Sequence, residues 1–143
     1  MKPWLDLLGL SERLKDLRVV HVAGTKGKGS TCAFTEAILR AHGLKTGLFT
    51  SPHLVDVRER FRLNGRMCPE DVFLDNFWRV WDKLGGGDPF AVSEGCGSDF
   101  PGFFQLLTLV ALELFSNESV DVAVIEVGIG GRKDATNVVH SWV

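Results

Sequence analysis

The chain has 143 residues, 45% of them hydrophobic and 24% charged, which suits one soluble globular domain with its own core. Its net charge of −2 leaves no basic excess to neutralise phosphates, which argues against broad nucleic-acid binding. Three widely spaced cysteines, Cys32, Cys68 and Cys96, fit a reducing compartment better than a disulfide framework or a zinc site, and the longest apolar stretches, such as 106–112, are too short to cross a bilayer.

Leu5, Leu8, Leu14 and Leu17 predict a short amphipathic helix at the start. Val19 to Ala23 is a brief apolar run that reads as a strand buried on both faces. A glycine-rich turn follows, after which Ser30 or Thr31 can cap a helix running to about His42. Its expected apolar stripe is Ala33, Ala37, Ile38 and Ala41, with Glu36 and Arg40 pairing across one turn and Gly43 ending it. Thr46 to Phe49 predicts a second strand, and Thr50-Ser51-Pro52-His53 breaks regular structure.

From Val57 to Leu63 the residues alternate, with Val57, Glu59, Phe61 and Leu63 on one face and Arg58, Arg60 and Arg62 on the other. A helix over 69–84 follows, with Phe73, Phe77, Val80 and Leu84 on its buried stripe. Residues 85–102 read as a long loop, Phe103 to Phe115 as a buried helix, and Val120 to Val127 as a buried strand ending in Gly128-Ile129-Gly130-Gly131. Strands alternating with helices predict an α/β fold, a parallel sheet flanked by helices. Both glycine-rich turns then fall at the carboxyl ends of strands, where such sheets bind ligands.

Gly24-Thr25-Lys26-Gly27-Lys28-Gly29-Ser30-Thr31 leaves a strand and opens a helix. Glycines let backbone amides approach a polyphosphate, the helix N-terminus adds partial positive charge, Lys28 can reach the outer phosphates, and the Ser30 hydroxyl can help hold a metal ion. The match to a general phosphate loop is imperfect: its first glycine falls at Val22, and Gly29 separates Lys28 from the hydroxyl residue. A glycine-rich connector is the blander reading. Glu126 interrupts an otherwise apolar strand, where an unpaired carboxylate is costly and a metal ion or a lysine would compensate it. Its blander reading is a carboxylate twisted out to solvent.

Residues 21–65, including HVAGTKGKGSTCAFTE and SPHLVDVRERFRLNG, resemble folylpolyglutamate synthases of the Mur ligase superfamily, and VDVAVIEVGIGGRKDATN at 120–137 resembles the same family again. The first stretch looks like the eukaryotic branch. The resemblance implies a P-loop-type, Mur-ligase-like ATP-binding domain, of which residues 1–143 would be the N-terminal portion, with the rest of that domain and a C-terminal domain lying outside them. It implies ATP-dependent addition of L-glutamate to the γ-carboxyl of a reduced folate through an acyl phosphate, with ATP and Mg2+ as cofactors.

By resemblance, Gly27 to Thr31 would hold the ATP phosphates, with Lys28 catalytic, and Ser51 and Glu126 would ligate magnesium. A third metal ligand, a histidine, would lie farther downstream than this chain reaches, so the chain alone is expected to be inactive. The pterin-binding segment would correspond to Gly102, Phe103, Phe104 and Gln105, where Gly102 and Gln105 depart from the family's usual residues. Asp134 would join that pocket, an Asx-type turn being its blander reading. His53 stands between a turn residue and a substrate contact, and the three arginines between a solvated strand face and an attractor of anionic substrate. Trp78 and Trp81 read as packing. The expected setting is the cytoplasm, since the N-terminus lacks a signal or transit pattern, with the mitochondrial matrix possible by resemblance. The full-length form is expected to be a monomer. The alternatives are a nucleotide-binding pseudoenzyme fragment, a dihydrofolate synthase, or another Mur-type amide ligase.

Overall fold

The structure, a computed structural model, describes residues 1–86 and 100–139. Cys96, most of the expected 85–102 loop and the last four residues lie outside the described residues.

Three strands run parallel at the centre: β1 (Arg18–Val22), β5 (Val122–Glu126) and β2 (Thr46–Phe49), with β5 between the other two. A small hairpin of β3 (Phe61–Leu63) and β4 (Arg66–Met67) extends the sheet antiparallel beyond β2. The sheet is therefore mixed, with a parallel core. The hairpin turn places Asn64 and Gly65 at positive φ, where glycine carries no Cβ penalty.

Period-two alternation sorts the strand side chains between two layers. Val20, Val22, Leu48 and Val124 face α3 (Lys28–Ala41), packing with Cys32 and Leu39. Val19, Phe49, Phe61, Ala123 and Ile125 face the other side. There α1 (Lys2–Leu8), α2 (Leu10–Arg13), α4 (Glu70–Lys83) and α5 (Phe103–Asn117) complete the larger core. Every residue of α5 from Leu106 to Phe115 is buried, as its apolar circumference predicts. β1 is only partly buried because it forms the sheet edge among the described residues, which corrects the expectation of a strand covered on both faces.

The leading helix is two helices, broken at Gly9 with φ 70°, yet Leu5, Leu8, Leu14 and Leu17 are all buried as the leucine spacing predicts. Helix α3 begins at Lys28, with Gly27 at φ 78° as its N-cap, rather than at Ser30 or Thr31. Its expected stripe is inverted. Phe34 and Ile38 are exposed along with Ala33, Ala37 and Ala41, while Cys32 and Glu36 are buried. Glu36 does not pair with Arg40. It accepts from the Gly65 amide at 2.8 Å and from the Thr46 hydroxyl at 3.4 Å, tying α3 to β2 and the hairpin.

The alternating segment at 57–63 is not one strand. Val57–Arg60 is a turn of 3-10 helix, capped by Asp56 and Glu59, and only the last three residues are strand. In α4, Phe73, Val80 and Trp81 are buried and Phe77 half-buried, as is Leu84 just past its end. Trp81 stacks on Phe77 and meets Phe100 edge-on, so it packs as expected, and half-exposed Trp78 lies edge-on to Phe77.

Candidate functional site

The parallel strands deliver three loops to one edge of the sheet: 23–27 after β1, 50–53 after β2 and 127–131 after β5. Glu126, the last residue of β5, lies opposite Val22 and points to the α3 face of the sheet, as alternation requires. It is only 5% exposed. Its Oε2 accepts the Ser51 amide at 3.0 Å, which brings together two residues 75 positions apart. Its Oε1 has no protein donor among the described residues.

A Cβ built on Gly29 would stand 3.8–3.9 Å from both carboxylate oxygens, so the first turn of α3 comes up against Glu126 without a side chain between them. Gly27 needs its left-handed φ to turn the chain into α3, and Lys28 packs its stem over Gly24. The Thr31 hydroxyl donates back to the Gly27 carbonyl at 3.0 Å. Thr25, Lys26 and Ser30 are exposed.

The two glycine-rich loops enclose a cleft of about 490 Å3 lined by Ala23, Gly24, Thr25, Lys28 and residues 127–131. Backbone amides at the positive end of a helix, a lysine and glycine walls form an anion-binding concavity. A buried carboxylate with one open oxygen, set beside that concavity, suits a hard cation carried with the anion. Among the described residues no cluster of three or more His, Cys, Asp or Glu could hold a metal ion. A cation at Glu126 and Ser51 therefore fits only with its remaining ligands taken from phosphate and water, the ordinary habit of magnesium.

Beyond this core the expected substrate residues divide. Phe104 stacks on Phe49, with ring centroids 5.8 Å apart, and presses on Gly128, where a Cβ would come within 2.9 Å of its ring. Asp134 reaches the same point: its Oδ2 accepts the Ile129 amide at 2.9 Å and lies 3.1 Å from the Gly128 Cβ position. Its Oδ1 accepts the amide and hydroxyl of Thr136 at 2.9 and 2.6 Å. Asp134 is thus an Asx-type turn residue that closes the second glycine loop and converges with Phe104. Phe103 is 63% exposed, whereas Gly102 and Gln105 cap α5, the Gly102 amide donating to Gln105 Oε1 at 2.8 Å.

Two features escaped sequence reading. His21 Nε2 meets the Thr136 hydroxyl at 2.7 Å. That hydroxyl spends its only hydrogen on Asp134, so His21 must donate and carries its proton on Nε2. Burial holds the His21 pKa below its usual value, with Asp134 opposing the shift. Arg60, expected on an alternating strand, is instead buried at 8% exposure and donates from Nε to His53 Nδ1 at 2.8 Å. The signal for Arg60 was present only as an arginine two residues from Arg58 and Arg62. Nothing local told which of the three turns inward.

A scan against models of protein families finds no match. Among curated proteins, a folylpolyglutamate synthase of Arabidopsis thaliana is 54% identical over 140 residues, covering 98% of this chain and 21% of the relative. The mitochondrial folylpolyglutamate synthase of Bos taurus is 51% identical over 144 residues, covering 100% and 24%. Among solved structures, Escherichia coli FolC in complex with ADP superposes with a TM-score of 0.76 at 39% identity, over 96% of this chain and 32% of that one. A bifunctional folylpolyglutamate synthase/dihydrofolate synthase with Mn, AMPPNP and L-glutamate bound gives 0.76 and 39%, over 94% and 31%. The chain thus spans about a quarter of the length of these two curated relatives.

Proposed function

We infer, from 54% and 51% identity to folylpolyglutamate synthases over nearly the whole of this chain, that it belongs to their family and supplies the phosphate-binding and metal-binding end of an ATP-dependent ligase that joins L-glutamate to a folate carboxylate. The observation that carries this reading is the meeting of Glu126, the Ser51 amide and the first turn of α3 beside the cleft between two glycine loops. The relatives solved with ADP, AMPPNP, Mn and L-glutamate support it.

MgATP, when bound, supplies the phosphoryl group that activates the acceptor carboxylate. Gly24 to Thr31 offer amides and Lys28 offers a fixed cation, so negative charge moving between oxygens is neutralised without rearranging solvent. Glu126 and the Ser51 hydroxyl would hold the magnesium ion, and the Ser51 amide fixes the carboxylate for that task. Phe104 and Asp134 stand at the mouth of the second glycine loop, where the pterin end of a folate would lie. Phe103, Gly102 and Gln105 belong to the same helix start, and in this reading Gly102 and Gln105 serve it as caps rather than as ligand contacts. Reduced folate and L-glutamate are the substrates, acting in the cytoplasm or the mitochondrial matrix; no described helix is long and apolar enough to cross a membrane.

The test is direct: the protein that carries this sequence is incubated with tetrahydrofolate, MgATP and labelled glutamate, and with dihydropteroate in parallel. Label in a lengthened folate tail, dependent on ATP, is the expected result. Label on dihydropteroate alone would reassign the acceptor, and no ATP-dependent label on either would overturn the reading.

A further inference from the structure

The backbone of Arg60 is pinned beside the site. Its carbonyl accepts the Thr50 amide at 3.0 Å, one step beyond the Phe49–Phe61 pair, so it lies alongside Ser51, whose amide grips Glu126. The residue as a whole is only 8% exposed. Its Nε is committed to His53, and its guanidinium carbon sits 5.9 Å from the centroid of the Phe103 ring.

The outer nitrogens Nη1 and Nη2 have neither a hydrogen-bond acceptor nor an ion-pair partner among the described residues. Among the described residues no fully enclosed side-chain nitrogen or oxygen lacks a partner, so neither outer nitrogen of Arg60 is fully enclosed. Arg58, two residues away, shows the contrast: Asp56 accepts from both its Nε and Nη2, and Glu70 stands 3.6 Å away. Burial lowers the pKa of Arg60, and the charge of Glu126 opposes that shift. A guanidinium held on one side by an imidazole nitrogen that accepts from Nε and by an aromatic ring, with its fork left unpaired among the described residues, is built to receive an oxyanion.

We propose that Arg60 binds the carboxylate of the acceptor substrate through Nη1 and Nη2, with His53 and Phe103 as its positioning residues. The inference rests on the ligase reading above and names the contact that reading lacks. An acceptor carboxylate brought near Glu126 meets like charge, and Arg60 supplies the compensating one. Arg60 is not among the residues that line the cleft between the glycine loops.

Affinities of the protein that carries this sequence are measured for a reduced folate with a free γ-carboxylate, for the same folate as its γ-amide, and for MgADP. Wild type should prefer the carboxylate by at least about tenfold, the scale of a lost charge-assisted hydrogen bond. Arg60→Gln should erase that preference while leaving the amide and MgADP affinities within about twofold, and Arg60→Lys, which keeps charge without the fork, should retain part of it. Equal wild-type affinity for carboxylate and amide overturns the proposal, even if Arg60→Gln fails to fold. A preference unchanged in Arg60→Gln, or a loss confined to MgADP, also overturns it. A wild type that ligates glutamate yet shows these results defeats this inference alone, whereas one that neither binds nucleotide nor ligates defeats the functional reading with it.

Discussion

Glu126 places a carboxyl group inside a strand whose other residues are all apolar, and among the described residues one protein hydrogen bond, from the Ser51 amide, satisfies only one of its oxygens. The sequence marks the acid as anomalous, because nothing else in 122–126 is polar. Its partner was not legible, since a backbone amide 75 residues away leaves no compositional trace. A lysine or a metal was the expected compensation, and the amide shares that task. Glu126→Gln keeps the shape and removes the charge, so glutamate ligation should fall about a hundredfold or more, and the residual rate should demand more magnesium. Rates titrated with magnesium for both proteins check this; an unshifted curve at full rate removes Glu126 from the site. Cys32 and Cys68 make a second residue-scale test. Burial raises their thiols from 9.0 to about 12 and about 11, with Glu126 adding to the rise at Cys32. A raised thiol pKa favours folding fully below about pH 9, and that contribution is lost as pH climbs towards the folded values. Iodoacetamide near pH 9 should label both only after denaturation, as read by peptide mass spectrometry, and rapid native labelling would contradict it.

At the scale of elements, helix α3 explains why a correct helix can carry the wrong face. Its apolar residues wrap much of the circumference, so spacing alone leaves the phase undecided by about one residue. The glycine-rich turn decides it: Gly29 comes up against Glu126, which turns Cys32, Glu36 and Leu39 inward at successive turns. The 57–63 segment failed for a related reason. Asp56 and Glu59 form reciprocal caps that stabilise a helical turn, and the Glu59 carboxylate also gathers the Leu54 and Val55 amides, so local hydrogen bonding overrides the alternating pattern. Strand β2, by contrast, was legible to the residue, because a short apolar run between Lys45 and Thr50 has one reading. Its Gly47 carries a requirement that only packing reveals: a Cβ there would stand 2.5 Å from the fully buried Phe115 ring. Gly47→Ala should cost about 1–3 kcal/mol, the usual penalty of overpacking, read from the urea midpoint. An unchanged midpoint would mean that β2 and α5 are not packed this closely.

For the whole molecule, the order of strands matters more than the count. Placing β5 between β1 and β2 brings the three loops to one edge, and the site is assembled there from segments more than seventy residues apart. Alternating strands and helices sufficed to predict a parallel core and the edge at which both glycine-rich turns meet. The antiparallel hairpin of β3 and β4, which lays Arg60 beside Thr50, depended on turn geometry at Asn64-Gly65 that the hydrophobic pattern does not encode. The account stands or falls on what occupies that edge, and the most direct test is a crystal structure of the protein that carries this sequence with MgAMPPNP. The account predicts the phosphates in the cleft between Gly24–Lys28 and Val127–Gly131, within reach of Lys28, and the metal ion on Glu126 and Ser51. Nucleotide bound elsewhere, or phosphates in the cleft with no metal contact to Glu126, would contradict it.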